Sequence, residues 1–289
     1  MTLHREQGED GPGELRCHMC GAAQPPPDTC PECGSRYIRY FGSGTQRVEE
    51  EMHKLFPGVG TVRMDIDTTR GRDAHAKLLD RFGLGEAQVL IGTQMIAKGL
   101  DFPKVTLVGV VAADMTLNLP DYRAPERTFQ LITQVAGRAG RAQLPGEVIV
   151  QTYKPEDPCI LAAAAQDYRA FFEQEFSRRR AGLYPPFTLL ARLLAESPRE
   201  DDAKQMAERL YDTVTTYLLS HPRQKKRVLM TRVDEAPVKR IRGQFRWHVL
   251  VKLFDHPDAA PFLALLAELA QAGDESCKVY CEVNPATMM

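Results

Sequence analysis

Between residues 35 and about 154, short apolar runs alternate with helical patterns, and this alternation restricts the possible folds more than any other feature of the 289-residue chain. Residues 36–41, 62–66, 88–92, 105–111 and 147–153 read as strands. Residues 45–56, 73–82 and 126–136 read as helices, the first with Val48, Met52, Leu55 and Phe56 on one face and Ser43 or Thr45 as its cap. Strands of five to seven residues separated by helices predict an α/β fold: a doubly wound parallel sheet, whose ligands sit at the carboxyl ends of the strands.

Two loops and one helix end carry chemistry at those ends. The first loop, 92–103, holds Thr93, Gln94, Lys98, Gly99 and Asp101 within about ten residues, a set suited to phosphate contact. Its bland alternative is a helix start capped by Thr93. The second loop runs from Ala112 through Asp114 towards Arg123. The helix 126–136 ends within Gln134-Val135-Ala136-Gly137-Arg138-Ala139-Gly140-Arg141. Arg138 and Arg141 present planar donor forks that match phosphate, and the intervening glycines let backbone approach a ligand. The alternative is a solvated basic turn. No Gly-x-x-x-x-Gly-Lys-Ser/Thr run occurs, and the acidic pair Asp234-Glu235 lies far from the sheet region. The sequence has arginines for a nucleotide without the cradle for one.

Composition narrows the classes. The net charge of −1 provides no global attraction for nucleic acid, so any basic surface is local. No run of about 18 apolar residues exists to span a membrane, and the polar start at 1–13 does not resemble a signal peptide, so the cytosol is the expected compartment. Four of the seven cysteines form two pairs, Cys17/Cys20 and Cys30/Cys33. Paired thiolates two residues apart predict a structural tetrahedral zinc site with no position open for water, and His18 is a bystander.

A helical stretch at 160–176 leads to Arg178-Arg179-Arg180 and then Gly182-Leu183-Tyr184-Pro185-Pro186, where a boundary is expected. The three arginines read as a solvated helix end, with DNA contact as the alternative. Beyond them, strands at 188–194, 227–233, 245–254 and 278–283, with helices at 201–219 and 259–270, predict a βαββαβ two-layer sandwich. Its loop 239–247 interleaves Lys239, Arg240, Arg242 and Arg246 with Phe245 and Trp247, a plausible platform for single strands or a protein partner; the alternative is a hairpin whose Trp faces the core. Cys277 and Cys281 read as packed strand residues.

These motifs together resemble the primosomal protein N′ (PriA) family of superfamily 2 replication-restart DNA helicases. The likeness rests on Cys17-His18-Met19-Cys20-Gly21, Cys30-Pro31-Glu32-Cys33-Gly34, Tyr40-Phe41-Gly42-Ser43-Gly44-Thr45, Arg63-Met64-Asp65-Ile66-Asp67 and Tyr184-Pro185-Pro186-Phe187. The run from Gly92 to Pro103 is similar to helicase motif V, and that from Gln134 to Arg141 to motif VI. The resemblance implies a RecA-like second lobe at 39–155, a partial zinc region at 1–38, a helical linker at 156–186 and a C-terminal DNA- and partner-binding domain at 187–289. It implies that Arg138 and Arg141 reach ATP held with magnesium by a first lobe, one of them as arginine finger, while Gln134 helps to close the lobes. Thr93, Gln94, Lys98, Gly99 and Asp101 would couple the nucleotide to the DNA. Implied partners are branched DNA, single strands, single-stranded-DNA-binding protein and other primosome proteins. The family has eight cysteines and two interleaved zincs where this sequence has four cysteines, so these four either close on one ion or contribute to two. The expectation is the C-terminal part of an ATP-dependent 3′–5′ helicase, inactive as an ATPase by itself. A zinc- and DNA-binding adaptor of the primosome without ATPase activity is the alternative.

Overall fold

The computed structural model describes residues 4–6, 14–16, 23–25, 27–29, 34–36, 44–65, 68–69, 74–93, 96, 102–137 and 145–289. The chain divides into two compact units, Arg39–Leu119 with Arg123–Glu175, and Met1–Ile38 with Pro120–Tyr122 and Phe176–Met289. At the start, β1 (His4–Glu6), β2 (Glu14–Arg16) and β3 (Ala23–Gln24) form an antiparallel sheet in that order. The four paired cysteines, and most of the strand expected at 36–41, lie outside the described residues.

In the first of these units the elements are α1 (Thr45–Leu55), β4 (Thr61–Met64), α2 (Ala74–Gly83), β5 (Val89–Gly92), β6 (Leu107–Val110), α3 (Asp114–Leu117), α4 (Ala124–Ala136), β7 (Glu147–Val150) and α5 (Pro158–Ala164). The described strands form two parallel pairs, β4 with β5 and β6 with β7, as an α/β lobe with parallel strands requires. Each pair has its own core. Val62, Met64 and Ala87 pack with Leu78, Leu79 and Leu90, whereas Val110 and Val150 pack with Phe129, Ile132, Ile160 and Phe171. Each fully buried side chain of this size contributes about 2 kcal/mol by leaving water.

The helix expected at 160–176 is two helices, α5 and α6 (Tyr168–Ala181). Asp157 accepts a hydrogen bond from Cys159 N at 2.9 Å, and Pro158 occupies the first turn, where a missing N–H costs nothing. The break falls at Gln166, with φ +52°, and Asp167 then accepts from Ala170 N at 2.9 Å. The cap expected for α1 also differs. Gly44 is the capping residue and gives no side-chain bond, while the Thr45 hydroxyl donates to Asp65 at 2.6 Å.

The other unit holds the βαββαβ domain: β8 (Leu189–Ser197), α7 (Glu200–Ser220), α8 (Pro222–Lys225), β9 (Val228–Ile241), β10 (Gln244–Leu253), α9 (Ala260–Leu269) and β11 (Lys278–Val283). Its sheet is antiparallel throughout, in the order β11-β8-β10-β9. Alternation sends Ala191, Leu193, Ala195, Val249, Val251 and Leu253 to one face, against Met206, Leu210 and Val214 of α7 and Phe262 and Leu266 of α9. The strand expected at 227–233 continues to Ile241 because its second half pairs with β10. A two-residue turn, Arg242 at φ +49° and Gly243 at φ +82°, closes this hairpin, and positive φ at both central residues matches the strand twist. Pro237 is tolerated because β9 is an edge strand. Among the described residues no helix is long and apolar enough to cross a membrane.

Candidate nucleotide-facing helix and nucleic-acid interface

The motif positions in the lobe sit where short strands end. β5 finishes at Gly92, which stands in register with Met64 of β4. A Cβ at Gly92 would lie 2.7 Å from Met64 O and from Ile96 Cγ2, so only glycine permits the chain to leave the strand here. Thr93 follows, exposed, in a tight turn closed by Ile96 N donating to Thr93 O at 3.1 Å. Gln94, Lys98, Gly99 and Asp101 lie outside the described residues.

Helix α4 sets the second motif. Phe129 and Ile132 are buried, and Phe129 stacks on Phe171 with ring centroids 4.3 Å apart. This fixes the roll of the helix and leaves Gln134 exposed in its last turn. The helix ends at Gly137, whose N–H returns to Thr133 O at 3.1 Å. Arg138 and Arg141 lie outside the described residues.

Two buried carboxylates support these strand ends, and sequence reasoning gave neither a role. Asp65, just past β4, accepts from the Thr45 hydroxyl and from Thr68 N at 2.9 Å and faces Arg63 at 3.2 Å. Burial by itself would raise its pKa, but those bonds and the Arg63 charge together hold it below the usual carboxylate value. Asp114 accepts from the Thr152 hydroxyl at 2.9 Å and from Tyr153 N at 3.0 Å, tying the end of β6 to that of β7. Against the opposing effect of burial, these bonds likewise lower its pKa. Sequence signals existed: each aspartate follows an apolar strand directly or within a few residues.

The basic stretch expected as a loop is the β9–β10 hairpin, and its cations differ sharply in availability. Arg242 is exposed at the tip. Arg240 lies over the Phe245 ring at 4.6 Å and donates to Gly243 O at 3.3 Å. Lys239 pairs with Glu200 at 2.7 Å and Glu235 at 3.3 Å, and the Glu200 bond, ahead of opposing burial, raises its pKa. Arg246 and Trp247 do not extend the platform. Arg246 is 4% exposed and bound to Glu196 at 2.9 Å. Trp247 packs on the helix-facing core, with Lys204 Nζ 5.5 Å from its ring centroid.

The three arginines of α6 are engaged rather than purely solvated. Arg178 donates to Tyr122 O, Arg179 lies over the Tyr122 ring, and Arg180 stands 5.3 Å from the rings of both Phe176 and Phe187. Cys277 is buried in the core just before β11, and burial pushes its thiol up to about 11; Cys281 is half-buried within β11. Among the described residues, no group of three or more His, Cys, Asp or Glu could hold a metal.

The opposite face of the C-terminal sheet was not foreseen. Arg192, at 3% exposure, donates to Glu282 at 2.8 Å and to Met288 O at 3.0 Å. His248 lies in the same layer, 3% exposed, with no partner for Nδ1. Burial first, and then the Arg192 charge, push its pKa down to about 4, so it is neutral at pH 7.

Strand ends bearing a Gly-Thr turn, followed by a helix leading into paired arginines, define the class: a chain carrying a helicase-type C-terminal lobe. Residues 35–143 match the helicase conserved C-terminal domain, and residues 180–286 match the primosomal protein N C-terminal domain. The replication restart protein PriA of Bacillus subtilis (strain 168) is 42% identical over 291 residues, covering 100% of this chain and 35% of that protein. The PriA of Synechocystis sp. is 41% identical over 290 residues, covering 100% and 34%, and that of Haemophilus influenzae 38% over 271 residues, covering 94% and 35%. The chain thus spans about a third of the length of the curated relatives it matches. It belongs to the PriA family and corresponds to the family's C-terminal part.

Proposed function

We propose that the chain serves as the arginine-bearing second lobe and C-terminal domain of an ATP-dependent 3′–5′ DNA helicase of replication restart, acting in the cytoplasm. The supporting observation is similarity to PriA proteins along the whole chain. In this reading residues 39–155 are a RecA-like lobe, 156–186 a helical linker and 187–289 a DNA- and partner-binding domain. Arg138 and Arg141 approach ATP and magnesium held by another lobe. One of them stabilises charge on the transferring phosphoryl group, while Gln134 helps to close the lobes. Thr93, Gln94, Lys98, Gly99 and Asp101 relay nucleotide state to the DNA strand. Branched DNA, single strands, single-stranded-DNA-binding protein and primosome proteins are its partners. The exposure of Gln134 and Thr93 is what such roles require.

In Cys17, Cys20, Cys30 and Cys33 the donor set is four thiolates at two-residue spacing, which suits a structural zinc and offers no catalytic position. About one zinc per chain by elemental analysis is expected; folded metal-free protein contradicts the assignment. The 289 residues contain no phosphate-cradling glycine run, an observation that also favours the adaptor reading. ATP turnover decides between the two. The chain alone, given forked DNA, should hydrolyse no ATP. A fusion placing it after the preceding two thirds of the Bacillus subtilis relative should turn over ATP when DNA is added. A fusion that binds DNA but stays inactive supports the adaptor.

A further inference from the structure

Many cations of the C-terminal domain are held by an internal partner. Arg192 pairs with Glu282, Arg199 with Asp202, Lys204 with Glu208, Arg227 with Asp258, Arg232 with Asp234, Lys239 with Glu200 and Arg246 with Glu196, while Lys252 donates to Gly182 O. Two places differ. One is the hairpin tip, where Arg242 is exposed. The other is the turn from α7 into β9, His221-Pro222-Arg223-Gln224-Lys225-Lys226-Arg227, which carries four basic residues and no acidic one. There Arg223, Lys225 and Lys226 are all exposed and make no ion pair within 4.0 Å among the described residues.

These points mark opposite ends of one ribbon. Ile241 pairs with Gln244 beside the tip, whereas Val228 pairs with Leu253 beside the basic turn. The ten residues of β10 that join these pairs separate the two ends by about 30 Å at ~3.3 Å per residue, β9 being longer because it bulges opposite Phe245 and Trp247. Along a duplex that distance is roughly 9 base pairs, at ~3.4 Å between phosphates of one strand.

We propose that Arg223, Lys225 and Lys226 form a second phosphate-contact surface, which with the hairpin tip lets the C-terminal domain engage a duplex along the length of the β9–β10 ribbon. This rests on the reading of the chain as a DNA-binding protein, and the experiment separates the two. Binding of the full 289-residue chain to an 8-base-pair and a 24-base-pair duplex is measured across salt concentration. On the long duplex, Arg223→Ala/Lys225→Ala/Lys226→Ala should lower the slope of log K against log salt by about 2 to 3, and Arg242→Ala by about 1. On the short duplex, which cannot span both ends, the two sets should not add. Circular dichroism and thermal unfolding of the triple variant should match the parent, and Arg223→Lys should restore its share of the slope. A triple variant with the parental slope on the long duplex, while Arg242→Ala lowers it, overturns this inference alone. Loss of acidic-peptide binding with an unchanged DNA slope also overturns it, by assigning the surface to a protein. Absence of any DNA binding by the parent overturns both readings.

Discussion

His248 shows how one residue carries information the sequence conceals. In sequence it stands between Trp247 and Val249, and nothing local marks it out. In the sheet it occupies the buried second face, near Arg192, Asp234, Arg246 and Arg232, and its pKa falls to about 4. The sign of the linkage follows. The unfolded chain binds a proton near pH 6.5 and the folded one only near 4, so stability is lost as pH drops through that window, by up to about 1.4 kcal/mol per unit. Asp65 and Asp114, whose pKa values are lowered, weaken the fold only below the usual carboxylate range and do not overlap it. Urea unfolding at pH 6.5 and 5 should show a loss of about 2 kcal/mol in the parent that His248→Gln largely removes. Equal pH dependence in both proteins would contradict the buried, neutral assignment. The same concealment explains Arg246. Its partner Glu196 is 50 positions away, and Arg192 and Glu282 are 90 apart, so no local pattern reveals that these charges face inward.

Elements with strong apolar periodicity were legible in the sequence. β11 spans the six residues expected, and α4 and α7 differ from expectation by at most two residues at either end. Misreadings came where a short polar signal overrode the pattern. Arg242-Gly243 ends β9 late because its turn needs only two residues, and the charges around it looked like a longer loop. Asp157 caps a helix that starts ahead of the expected stretch, and Asp167 caps a second one inside what read as a single helix. A cap of this kind contributes about 1 kcal/mol. Asp157→Ala should therefore lower protection of the α5 amides in hydrogen exchange by about fivefold, corresponding to about 1 kcal/mol, and leave the β8–β10 amides unchanged. Unaltered α5 protection would show that Pro158 and the buried Cys159 and Ile160 suffice to start the helix.

At the scale of the whole chain, the fold class and the family were readable because glycines, paired arginines and cysteine spacings are local. Which strand finds which neighbour was not legible: among the described residues β4 pairs with β5 and β6 with β7, both parallel. The hairpin site was half legible: composition located the basic cluster, but only burial distinguishes the exposed Arg242 from the inward Arg246 and Trp247. The central claim is that Arg138 and Arg141 act on a nucleotide bound by another lobe. The most direct test is DNA-stimulated ATP turnover by the fusion with the Bacillus subtilis relative, comparing Arg138→Ala and Arg141→Ala with the parent fusion. The account predicts that at least one variant loses roughly a thousandfold or more in kcat while zinc content and DNA affinity are retained. Parental turnover in both variants would contradict it.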